Sequence, residues 1–84
     1  MRLHKVQREA MKTTLARCYV VDSKTGIERL FGEVVRDGNG RYSYRRSDGG
    51  LDRCRSLSDG IAVADSIASV CPSYRQLSRV EKAR

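Results

Sequence analysis

Tryptophan is absent from this 84-residue chain, and phenylalanine, histidine and proline occur once each. With so few rings, the core must be built from aliphatic side chains and whatever the four tyrosines can add. His4 is the single histidine, and no carboxylate pair has a spacing that suggests acid–base work. General-base and Cys–His nucleophile chemistry therefore lack a base, and the chain is expected not to be an enzyme. The three cysteines, Cys18, Cys54 and Cys71, are odd in number and form no C-x-x-C pair. That spacing excludes a secreted disulfide framework and argues against a zinc site, so each reads as a small buried hydrophobe. No cofactor is implied. No stretch approaches the roughly 20 apolar residues of a membrane span. Arg17 also interrupts the apolar run that follows Met11, which argues against a signal peptide. A soluble cytoplasmic protein with no membrane partner is expected.

What the chain does have is base. Its formal net charge is +7, and 13 of its 17 basic residues are arginine. Excess base falls in residues 1–20, 41–55 and 73–84, whereas residues 56–72 contain only Asp59 and Asp65 as charged groups. A basic chain of this kind attracts polyanions. Nucleic acid is the first reading, with DNA favoured over RNA. An acidic protein surface is the alternative, met by an interaction module or inhibitor. A homodimer whose second copy covers the sheet stays open as a third.

The size suits one small domain spanning residues 1–84. In residues 2–12, Leu3, Val6 and Ala10 fall at helical spacing and predict a weak N-terminal helix. Residues 13–57 read as a β-meander. "TTLARCYVVD" is a strand whose uncharged face, Ala16, Cys18 and Val20, is the expected core side. "IERLFGEVVR" is a second strand, with untidy alternation at Gly32 that suggests a bulge. "DGNG" and "DGG" are turn signals that bring "RYSYRRS" and "LDRCRSL" alongside as further strands. Residues 58–71 form the most strongly patterned helix, capped by Ser56 or Ser58 and ending before Pro72. Residues 72–84 are expected to be a basic tail with one or two helical turns, or frayed. The fold class is α+β: an antiparallel meander of three to four strands, one packed C-terminal helix and the weak N-terminal helix.

The stretch "RYSYRR" carries the functional question. Alternation sends Tyr42, Tyr44 and Arg46 to one face and Arg41, Ser43 and Arg45 to the other. The scarcity of rings favours tyrosines at the core, though facing outward they would make a stacking platform. Arg17, Arg41, Arg45, Arg46, Arg53 and Arg55 are the candidate nucleic-acid-binding residues, because planar guanidinium forks match phosphates and guanine. The competing expectation is an ordinary solvated face on which Glu28, Glu33 and Asp52 neutralise them. "GNG", residues 38–40, joins two strands and so is a turn, not a phosphate loop.

Residues 38–70, "GNGRYSYRRSDGGLDRCRSLSDGIAVADSIASV", resemble the three-strands-then-helix units of AP2-type DNA-binding domains and of phage-integrase arm-binding domains. The resemblance implies a DNA-contacting sheet carrying Arg41, Arg45, Arg53 and Arg55. The layout is also similar to small phage and prophage proteins, including anti-CRISPR inhibitors. It is similar as well to double-stranded RNA-binding domains, except that no lysine cluster opens the 58–71 helix.

Overall fold

A computed structural model describes residues 4–83, apart from the side chains of Lys5, Val6 and Glu9. Helix α1 spans Lys5–Ala10, strands β1 to β4 span Thr13–Val21, Glu28–Arg36, Tyr42–Arg46 and Leu51–Cys54, helix α2 spans Leu57–Ser69, and β5 spans Arg79–Lys82. The expected α+β fold is present, as a five-stranded antiparallel sheet in the order β4-β3-β2-β1-β5 with α2 packed on one face. Leu3 and the Val6 side chain, which defined the apolar stripe of the N-terminal helix, lie outside the described residues.

Strands β1 to β4 form a meander because each connection is a tight turn. In the β2–β3 turn, Asp37 Oδ1 accepts the backbone N–H groups of Asn39 at 2.8 Å and Arg41 at 3.0 Å, and Gly40 takes a φ of +80°. That φ is open to glycine at no steric cost, which is why the turn is written with it. The β3–β4 turn repeats the device, with Asp48 Oδ1 accepting Gly50 N–H at 2.8 Å. Helix α2 starts where Ser56 Oγ accepts Asp59 N–H at 3.1 Å, while Asp59 Oδ2 reaches back to Arg55 N–H at 2.8 Å. Of the two candidate caps, Ser56 is the one used.

The face of β1 bearing Ala16, Cys18 and Val20 is the buried one, as its lack of charge implied. It joins Val34, Tyr44, Cys54, Ala64 and Ala68 under α2. Small residues on the helix let it sit close. A Cβ at Gly60 would lie 2.8 Å from both Val34 methyl groups. Burial pushes the Cys18 thiol up to about 11 and raises Cys54 as well, so both remain protonated packing groups and not nucleophiles. The bulge expected at Gly32 is present: Cys18 pairs with Gly32 but Tyr19 pairs with Leu30, leaving Phe31 as the extra residue. Phe31 then meets Tyr44 at 6.4 Å and Tyr74 edge-on at 5.6 Å between ring centroids.

Residues 72–83 correct the expectation, made for residues 72–84, of helical turns or fraying; residue 84 lies outside the described residues. Helix α2 carries the chain from the β4 edge across the sheet to the β1 edge, where Arg79–Lys82 adds a fifth strand against Ala16–Tyr19. Val80, opposite Cys18, packs on the core. The flanking Arg79 binds Glu28 at 2.9 Å and Glu81 at 2.8 Å and lies 4.1 Å over the Tyr19 ring. A strand with one apolar side chain is held by pairing and by these contacts, neither of which is local in sequence.

Tyr44 is fully buried, and its hydroxyl has no hydrogen-bond partner among the described residues. A buried hydroxyl without a partner costs about 1–3 kcal/mol. Tyr44→Phe keeps the ring and removes that cost, so it is expected to stabilise the fold by about 1 kcal/mol. Urea unfolding of the two proteins measures this, and a lower midpoint in the variant would show that the hydroxyl is satisfied.

Candidate nucleic-acid interface

The sheet has two faces, and α2 covers one of them. Strand parity settles which arginines lie on the other. Cross-strand registers place Arg17 opposite Glu33, Glu33 opposite Arg45, and Ser43 opposite Arg53. Arg17, Arg45 and Arg53 therefore share the open face, and Arg41 joins them by alternation with Ser43. Tyr42 and Tyr44 pack against the core instead, which resolves the alternative left open by the sequence. Arg46 does not join the others. As the neighbour of Arg45 in the same strand it must point to the helix side, where it binds Asp52 at 3.2 Å and Asp48 at 3.4 Å.

The remaining arginines differ in what already holds them. Glu33 lies 3.8 Å from Arg17 and 3.5 Å from Arg45, and Glu81 lies 3.9 Å from Arg17. Glu33 also accepts the Thr14 hydroxyl at 2.9 Å. The centre of the face is thus an alternating network of acids and bases, part of the neutralisation expected from Glu28, Glu33 and Asp52. Arg41, Arg53 and Arg55 make no ion pair or side-chain hydrogen bond among the described residues.

These three lie together because of antiparallel pairing. Thr13 pairs with Arg36, Arg36 with Tyr42, and Tyr42 with Cys54, so the start of β1, the end of β2, the start of β3 and the end of β4 share one end of the sheet. Each of Lys12, Arg36, Arg41, Arg53 and Arg55 is at one of these positions or one residue from it. Lys12 and Arg36, which are not among the six candidate arginines, thereby join the cluster. The signal that would find them is topological: basic residues at alternate ends of successive strands of a meander collect at one end.

Two hollows open there. One, of about 170 Å³, lies on the open face among Lys12, Asp37, Arg41, Ser43 and Arg53, with buried Val35 beneath and Leu51 beside it. A wider one, of about 490 Å³, is bordered by Met11, Lys12, Thr13, Arg36, Asp37, Gly38 and Gly40. Helix α1 is fixed to their rim: Gly38 N–H donates to Arg8 O at 2.7 Å, and Arg8 Nε donates to Asn39 Oδ1 at 2.7 Å. Among the described side chains, the acids here are Asp37 and Asp59. The Arg41 and Asn39 N–H groups hold the Asp37 carboxyl below its usual range, with help from the Arg41 and Lys12 charges. Both carboxylates are thus engaged by backbone N–H groups of the turn and the helix cap.

Like charges close together across neighbouring strands are destabilising. An end whose described side chains carry several cations and few acids is therefore a place where an added anion lowers the energy. Among the described residues no cluster of His, Cys, Asp and Glu could hold a metal ion, and no helix is long and apolar enough to cross a membrane. The chain matches no protein-family model, no curated protein and no solved structure.

Proposed function

We propose that this protein is a non-enzymatic nucleic-acid-binding domain that holds phosphates at the basic end of its sheet. Arg41, Arg53 and Arg55 make the contacts, with Lys12 and Arg36 around them. The observation that carries this reading is the division among the arginines. Arg17, Arg45 and Arg46 already have carboxylate partners, whereas Arg41, Arg53 and Arg55 make no ion pair among the described residues and collect at one end. A guanidinium with no carboxylate partner can neutralise a phosphate and release its counterion. One already paired with a glutamate must first break that pair and gains little.

The division has a measurable consequence. Phosphate contacts by three arginines give a slope of log K against log salt of about −3, where engagement of all six candidates gives about −5. Fluorescence anisotropy with a labelled random-sequence DNA duplex over a series of salt concentrations measures it. A slope near −3 supports the proposal. Absence of binding at low salt overturns it, and leaves the basic end to an acidic protein surface.

A further inference from the structure

Resting on that reading, we infer that the nucleic acid taken by this protein is a duplex held by its phosphates, not a single strand held by stacked bases. The inference comes from where the rings are. The chain has five aromatic side chains, Tyr19, Phe31, Tyr42, Tyr44 and Tyr74. Four of them are used inside the fold. Tyr44 is fully buried, Tyr42 and Phe31 pack against the core, and Tyr74 stands edge-on to Phe31.

Tyr19 is the exception, because β1 parity puts it on the open face with Arg17. It is covered. The Arg79 guanidinium lies 4.1 Å above the ring and is itself clamped by Glu28 at 2.9 Å and Glu81 at 2.8 Å. A base that stacked on Tyr19 would have to displace a cation held by two carboxylates. The basic end, where Arg41, Arg53 and Arg55 lie, borders its hollows with Val35, Leu51 and Met11 and no ring.

Proteins that take single strands without sequence preference combine a basic groove with aromatic platforms, and each stacked base strengthens binding by about tenfold. This protein supplies the base and withholds the platform. What remains is phosphate neutralisation, which rewards the ligand with the denser charge. A duplex carries one charge per roughly 1.7 Å of axis, twice the density of one of its strands.

The test is competition on the intact protein between a short random-sequence DNA duplex and each of its separated strands, at equal phosphate concentration and low salt. The duplex is expected to bind at least about tenfold tighter, the loss of a single stacked base being worth that order. A smaller difference, or a preference for the single strand, overturns the inference while leaving the proposed function intact. Binding of neither overturns both.

Discussion

Replacing Gly32 with alanine is expected to destabilise the protein by about 3 kcal/mol, near the top of the usual range for overpacking. The position is crowded on two sides. A Cβ there would fall on the Tyr44 hydroxyl and lie 2.7 Å from the carbonyl oxygen of Arg45. The second neighbour is backbone in the adjacent strand, so it cannot yield by a rotamer change. Gly32 also lies next to the bulge at which Phe31 meets Tyr44 and Tyr74, which ties β2 to the segment leading into β5. Domains of this size have roughly 5–10 kcal/mol to lose, so the effect is a large share of the whole. Urea unfolding gives the value. The double variant Gly32→Ala with Tyr44→Phe removes only the hydroxyl from the clash. It should recover less than half of the loss, because the ring carbon Cζ of residue 44 and the Arg45 carbonyl both stay in place. Full recovery would show that neither the ring carbon nor the strand backbone is the obstacle.

The same glycine shows what could be read from the sequence. The break in alternation around "LFGEV" pointed to a bulge, because parity is a local property. The uncharged face of β1, the turns at Asp37 and Asp48, and α2 were legible for the same reason. Each is specified by residues within a few positions of one another. Strand β5 was not. "RVEK" contains one β-branched residue among charged ones, and nothing local distinguishes it from a helical turn. It becomes a strand because α2 ends at the free edge of β1, and because Arg79 finds Glu28 and Tyr19, some fifty and sixty positions earlier. The candidate site was legible in part. Alternation alone separates Arg46 from Arg45. It says nothing about the glutamates opposite Arg17 and Arg45, since the β1–β2–β3 register fixes those partners. Lys12 and Arg36 are isolated in sequence and gathered only by the meander, so no local pattern marks them.

The partition of arginines leads to the largest expected effect on binding. Two triple variants remove equal charge from the protein. Arg41→Ala, Arg53→Ala, Arg55→Ala takes the three arginines that make no ion pair among the described residues. Arg17→Ala, Arg45→Ala, Arg46→Ala takes three that do make one. If binding followed net charge alone, the two would weaken it alike. The geometry predicts otherwise. Losing each phosphate contact removes about one unit of salt slope, so the first variant should bind a duplex about a hundredfold more weakly and lose most of its salt dependence. The second should stay within about fivefold of the parent with its slope preserved, since the groups removed were neutralised already and exposed ion pairs contribute at most about 1 kcal/mol each. Anisotropy titrations at two salt concentrations compare them, and thermal melts confirm that both remain folded. Equal losses in the two variants would mean that any three positive charges serve as well as these. In that case the convergence of Arg41, Arg53 and Arg55 at one end of the sheet would be a by-product of strand pairing and not a binding site.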